Sequence, residues 1–275
     1  MFRLDKRNML GHAEACQDGA VDTILGRTYM VRGKGMGGAG SRSPGRPRQD
    51  GRAALTKVDI LAAAIPIFAT AGYAGASIRD ICSAIGAHPS SVFHHFANKE
   101  ELFSVCYDYV ASPYIDLYET IEKTILDPEK AMVVSVYIDS GAVIAEEENY
   151  RMLFSLSDIK SEKFPSISKT REKMDNHYKY IYEIGNSCTV FFDYPPEFVS
   201  QFISTIVESS LYSYGSDIVK RSRSDAYHIT RFCAHALFSK KRSESDLHDF
   251  IKETLNAYAI DFDPIEWRRR SQALL

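Results

Sequence analysis

From Thr56 onward, hydrophobic positions recur at helical spacing, and almost nowhere do they alternate as a strand requires. Thr56 suits an N-cap, and Ile60, Leu61, Ala64, Ile65 and Phe68 follow it with a helical period. Pro66 lies inside this helix and is expected to kink or strain it, and Gly72 is expected to end it. Ser77 suits the next N-cap, with Ile78, Ile81 and Ile85 as the buried face. Gly86 makes a turn. Pro89 fits the first position of a third helix, where its missing N–H would be unpaired anyway. Val92, Phe93 and Phe96 are the apolar residues of that helix. Asn98 caps a fourth, in which Leu102, Phe103, Cys106 and Val110 repeat at helical spacing.

Downstream, helices are predicted over 114–126, 129–147, 149–157, 166–187, 197–219, 225–239 and 245–260. TVFFDY at 189–194 is the only short strand candidate. The fold class is therefore all-α: an N-terminal three-helix helix-turn-helix domain at 54–114, then a larger helical domain at 115–275. Residues 1–51 read as a disordered basic extension and linker, because 33–51 holds seven of the sixteen glycines. Met30 and Met36 are alternative starts, and residues 1–35 are not expected to have a structural role.

Charge sharpens this picture. Residues 1–57 carry 11 Lys/Arg against 5 Asp/Glu, while 58–275 carry 22 against 31. A basic arm ahead of an acidic body suits a protein that touches nucleic acid at one end. The five cysteines are scattered, with no C-x-x-C, which points to a reducing compartment, and a cytoplasmic location is expected. No apolar run reaches about 18 residues, since Pro66, Gly72 and Gly75 interrupt the longest, and no secretory h-region opens the chain; no membrane partner is expected.

Helix, glycine turn and short second helix over 77–96 form a helix-turn-helix pattern, whose task is to place one helix in the major groove of DNA. The run Thr56–Leu102 resembles the N-terminal domain of the TetR family of bacterial transcription regulators. The resemblance rests on Ile60, Ala63-Ala64, Phe68, Gly72-Tyr73, Ser77-Ile78, Ile81, Gly86, Phe93-His94-His95-Phe96 and Lys99-Glu100-Glu101-Leu102. Three residues depart from the family pattern. His88 stands where Ser or Thr usually caps the recognition helix, Pro66 replaces an apolar residue, and Phe93 replaces a Tyr. The DNA contacts implied are Lys57, Ser77, Pro89, Ser90, Ser91, Phe93, His94, His95 and Lys99. Ser77 and Lys99 would hold phosphates at helix N-termini. The recognition helix contains no Arg or Lys, so no strong bidentate guanine contact is expected from it. Arg46 and Arg48, in PGRPR, resemble a minor-groove arm; a solvated basic linker is the equal alternative.

The second domain holds 26 of 32 aromatic residues, counted from Ala97, and most belong to its core. The resemblance implies a cavity for a small-molecule effector there. Tyr137, Asp139, Asn176, His177, Tyr178 and Tyr182 are the candidate lining residues, each weighed against a plain core role. It also implies a homodimer through two C-terminal helices. The candidates are 197–219, with Phe198, Phe202, Ile206, Ser209 and Ser213, and 245–260, with Phe250, Leu255 and Tyr258. The 225–239 helix rivals either.

No catalytic motif occurs, and neither catalytic residues, metal nor cofactor are expected. The expected function is a sequence-specific DNA-binding transcription regulator, a repressor released by a small-molecule effector. It would bind a roughly palindromic double-stranded operator as a homodimer. Two alternatives stay open: an architectural or division-linked DNA-binding protein without an effector, and an all-α enzyme with an incidental helix-turn-helix.

Overall fold

The computed structural model describes residues 55–145, 163–209, 218–258 and 260. Regular structure among them is helical: α1 (Lys57–Gly75), α2 (Ile78–Ile85), α3 (Pro89–Phe93), α4 (Lys99–Thr124), α5 (Pro128–Ala145), α6 (Pro165–Ser187), α7 (Pro196–Ser209), α8 (Ile218–Leu237) and α9 (Glu244–Ala257). The chain divides into two compact units. One contains residues 55–113, 145 and 163–172; the other contains 114–144 and the described residues from 173 onward. The division falls inside α4 and again inside α6.

In the first unit, local chemistry sets the helix starts. The Thr56 hydroxyl accepts from Asp59 N–H while the Asp59 carboxylate accepts from Thr56 N–H, a reciprocal capping box. Ser77 and Asp80 repeat it at α2. Asn98 Oδ1 accepts from Glu101 N–H at α4. Gly86 sits at φ 63°, ψ 35°, left-handed, and so closes α2 where an L side chain would be strained. Pro66, where a kink or strain is expected, does not interrupt the helix: α1 passes through it with Pro66 on the exposed side. The departure comes at Gly72 (φ 66°, ψ 172°), and helical structure then resumes to Gly75.

The core of this unit is Ile60, Leu61, Ala64, Ile65 and Phe68 of α1 with Ile81 and Cys82 of α2 and Val92, Phe96, Leu102 and Phe103 beyond. Phe68 meets Phe103 edge-on at 4.8 Å. Ile78 and Ile85 are only half-buried, so the inward face of α2 is narrower than expected. By length and composition α1 is apolar enough to cross a membrane, contrary to the expectation that its proline and glycines interrupt the run. Its apolar stripe is instead occupied by this core.

The second unit corrects several boundaries. Residues 99–124 are one helix with Pro113 inside, not two pieces meeting at 114. The 225–239 helix begins earlier, at Ile218, and the described part of α7 ends at Ser209. The expected 149–157 helix, Leu211 and Ser213 lie outside the described residues. TVFFDY forms a single antiparallel bridge, Phe191 to Phe238, rather than a strand. Phe192 N–H donates to Leu237 C=O, and Ser239 N–H to Val190 C=O. Glu129 of α5 and Arg242 form a bidentate pair, Nη1–Oε1 2.9 Å and Nη2–Oε2 2.6 Å, both side chains nearly buried. The guanidinium also lies 4.4 Å from the Phe250 ring centre.

Candidate nucleic-acid interface and buried polar site

The short helix α3 is anchored from below. Val92 and Phe96 are buried, which turns Ser90, Phe93 and His94 outward. Phe93 is 49% exposed, a large ring left facing solvent beside two hydrogen-bonding side chains. His88 fills the N-cap position: its Nδ1 accepts from Ser90 N–H at 3.3 Å and lies 2.9 Å from Ser90 Oγ. The imidazole thus does the work of the hydroxyl usual there. Pro89 and Ser91 are half-buried.

Some expected contacts are already engaged. His95 Nε2 lies 3.0 Å from the Leu55 carbonyl oxygen and ties the end of α3 to the chain ahead of α1. The Ser77 hydroxyl donates to Asp80 Oδ2 at 2.6 Å within its capping box. Lys57, exposed, places its ammonium 5.5 Å from the Phe96 ring centre. Lys99 lies 4.4 Å over the Tyr73 ring, and burial lowers its pKa. Arg79 of α2 is exposed on the same unit and was not among the expected contacts. It is the only basic residue of α2, which was the available signal.

A further cluster involves residues remote in sequence. The Tyr73 hydroxyl donates to Glu100 Oε1 at 2.5 Å and accepts from Lys163 Nζ at 3.2 Å. Lys163 also pairs with Glu100 at 3.3 Å. Burial, then the Glu100 hydrogen bond, pushes the Tyr73 phenol up; that same bond holds the Glu100 carboxyl down. Phe164 is buried against Tyr73 and Phe103, at 5.0 and 5.4 Å between ring centres. Thr170 donates to Asp108 Oδ1 at 2.7 Å. Sequence patterns assigned 163–172 to the second domain; these contacts place it with α1–α3 and the first half of α4.

The second unit contains a buried polar network. Asp139 of α5 is 3% exposed. Its Oδ2 accepts from Tyr118 Oη at 2.7 Å and from Tyr178 Oη at 2.6 Å, while its Oδ1 has no partner. Burial raises the Asp139 pKa against those two bonds, and it pushes the Tyr178 phenol well up, so that group stays a donor. His177 stacks on Tyr118 at 4.0 Å with an 8° interplanar angle. Its Nε2 lies 2.8 Å from Ser135 Oγ and its Nδ1 2.7 Å from Glu122 Oε1. A serine, imidazole and carboxylate in this order resemble an activated nucleophile, but Ser135 is completely buried within the core. Tyr182 Oη donates among the carbonyls of Phe192 and Tyr194 and accepts from Tyr194 N–H, and is thereby spent on its own loop. Tyr137 is buried; Asn176 is exposed and faces away from this network. Among the described residues, no group of three or more His, Cys, Asp or Glu is placed to hold a metal.

Residues 60–106 match the family described as bacterial regulatory proteins, tetR family. Over 47 residues the chain is 45% identical to the HTH-type transcriptional repressor AcnR of Corynebacterium jeikeium, covering 17% of this chain and 25% of that one. The chain thus spans a quarter of the length of that curated relative.

Over about two thirds of the chain the likeness to solved regulators is structural. A tetR-family regulatory protein from Rhodococcus superposes with a TM-score of 0.60 at 18% identity, over 67% of this chain and 98% of that one. AibR, solved with isovaleryl coenzyme A and operator DNA, gives 0.57 at 15% identity, over 64% and 96%. The ketosteroid regulator KstR2 of Mycobacterium tuberculosis gives 0.57 at 17%, over 70% and 100%. At such identities the likeness is one of fold alone: a short-helix N-terminal unit followed by a helical domain.

The α7–α9 region departs from expectation in its faces. Val199, Ser200, Ile203 and Val207 of α7 are buried, which leaves Phe198 (55% exposed), Phe202 and Ile206 on another side, with Ser209 exposed. On α9, Leu247, Ile251, Thr254 and Leu255 are buried inside this unit, and Phe250 and Tyr258 are half-buried. The rival helix α8 contributes Phe232, 57% exposed. Phe202 lies 5.8 Å from Phe198 and 6.5 Å from Phe232 between ring centres, so the three form one aromatic stripe. Arg46 and Arg48 lie outside the described residues.

Proposed function

We propose that the chain is a homodimeric transcriptional repressor. Residues 54–114 bind a roughly palindromic operator, and the helical domain from 115 onward pairs two copies and holds a small-molecule effector that releases the DNA. The observation that carries this is α3: a capped, core-anchored helix after a glycine turn, presenting Ser90, Phe93 and His94 outward on a TetR-type domain. Arg79, Lys57 and Lys99 supply backbone-positioning charge around it. In the free protein His95 and the Ser77 hydroxyl are engaged at the Leu55 carbonyl and the Asp80 carboxylate. The domain is one of binding rather than catalysis, and a cytoplasmic protein is expected.

The relatives fit this role. AibR was crystallised with a coenzyme A ester and operator DNA together, and AcnR is named a repressor. For the dimer we favour the Phe198–Phe202–Phe232 stripe on α7 and α8 over α9, whose leucines are occupied within the protomer. Selection from a random DNA library by the purified chain tests the function. Two similar half-sites about one helical turn apart should be enriched, and His94→Ala should alter the preferred bases. Failure to enrich any sequence overturns the proposal; enrichment that no metabolite extract relieves favours an architectural protein without an effector.

A further inference from the structure

A buried carboxylate needs a counter-charge or a full set of donors. Asp139 has neither. Its Oδ2 is satisfied twice over by Tyr118 and Tyr178, and its Oδ1 is bare. Among the described residues the basic group acting on it is His177, and both nitrogens of that ring are committed, to Ser135 and Glu122. The next side chain along α5, Ser140, also has a buried hydroxyl without a partner. Around the acid stand aromatic faces: Tyr118 and Tyr178 lie 6.4 Å apart, tilted by 57°, and His177 meets Tyr178 at 5.4 Å.

One class of molecule answers all three features. A protonated amine brings an N–H donor to Oδ1, a positive charge to a carboxylate that lacks one, and a cation for the negative faces of two tyrosine rings. A neutral alcohol brings only the donor, and an anion meets repulsion. We propose that Asp139, with Tyr118 and Tyr178, forms the recognition point for an effector that is an organic cation. This rests on the effector-responsive repressor proposed above and specifies its ligand.

The test uses the full chain and three skeleton-matched pairs of probes: phenethylamine against phenethyl alcohol, hexylamine against hexanol, and benzylamine against benzyl alcohol. Phenylacetate and hexanoate serve as anions. Binding is read by calorimetry and by thermal shift. A charge-assisted hydrogen bond in a desolvated site should favour amines over their alcohols by about tenfold or more, with the anions weakest. Asp139→Asn should bring the amines down to the level of the alcohols, while Asp249→Asn, on the exposed side of α9, leaves the preference intact. If Asp139→Asn does not fold, Tyr178→Phe and Tyr178→Leu replace it: the first keeps the ring and the amine preference, and the second loses it. Equal binding of amines and alcohols, no binding of any amine, or amine binding unchanged in Asp139→Asn overturns the proposal. Release of selected DNA is measured in the same samples. A chain that selects no DNA fails as a repressor, whatever the amines do. One that binds DNA but ignores amines loses only the ligand class.

Discussion

Removing the Lys99 ammonium separates a phosphate contact from a packing contact. In the free protein this group lies 4.4 Å over the Tyr73 ring, while Lys163 lies 4.6 Å over the same ring and also reaches the Tyr73 hydroxyl and Glu100. Lys163 is therefore held by two polar partners, and in the proposed function Lys99, held over the ring alone, is the one that turns to a phosphate. Each phosphate neutralised contributes about 0.9 to the slope of log K against log salt, so one contact makes binding about 3.5-fold more salt-sensitive between about 50 and 200 mM. Two protomers on one operator make that about 12-fold. Lys99→Ala should lower the slope by about 2 per dimer and weaken binding to all sequences alike, leaving base preference unchanged. Fluorescence anisotropy on the selected DNA over that salt range reads this directly. Lys163→Ala is the control, and its slope should match the parent. The Tyr73–Glu100 bond survives both changes, so melting temperature should show the domain folded. An unchanged slope in Lys99→Ala, or an equal fall in Lys163→Ala, refutes the assignment.

Four other outcomes are expected. Burial raises the Asp139 pKa above its ordinary 3.8, so the folded state holds that proton more tightly than the unfolded state and loses stability as pH rises through the raised value; urea midpoints of Asp139→Asn relative to the parent should therefore improve from about pH 4 to about pH 7. Arg242→Met strands the buried Glu129 carboxylate and should cost about 3–5 kcal/mol in urea unfolding, and Glu129→Leu added to it should recover most of the loss. Gly185→Ala drives a Cβ into the Phe191 ring and should cost about 1–3 kcal/mol by the same measurement. Phe202→Asp with Phe232→Asp charges the exposed aromatic stripe, and sedimentation should then report a 30.9 kDa species that no longer retains selected DNA; a dimer that persists places the interface elsewhere.

Local signals were legible in the sequence where a few neighbouring residues decide the outcome. Thr56, Ser77 and Asn98 cap the helices their hydroxyl or amide chemistry suggested, and Gly86 takes the left-handed turn. Side-chain pairings between distant segments were not legible. Nothing in the order of residues says that Phe164 packs on Tyr73, or that Ser135, Glu122 and His177 meet. Helix α7 shows the limit well. Its apolar residues fall in two stripes one position apart, Phe198/Phe202/Ile206 and Val199/Ile203/Val207, and periodicity alone cannot say which faces inward. The smaller β-branched set packs inside, and the aromatic set is left out. Proline misled in the opposite sense. Pro66, expected to kink or strain its helix, sits in a run that leaves helical angles only at Gly72, because a missing N–H removes one bond that the remaining turns of a packed helix outweigh.

The brevity of α3 has consequences at the scale of a genome. Five residues long and without Arg or Lys, it would offer each half-site of the proposed operator a handful of weak readers, Ser90, Phe93 and His94. Few base pairs can be made costly to change, so each half-site carries little information. A repressor that reads DNA in this way meets many near-matches among the ~10⁶–10⁹ competing positions of a chromosome. Its occupancy of any one promoter would then be governed by copy number and by the symmetry and flexibility of the site as much as by its letters. Such a protein suits a dispersed set of genes, graded by how closely each operator approaches two-fold symmetry, better than a single switch.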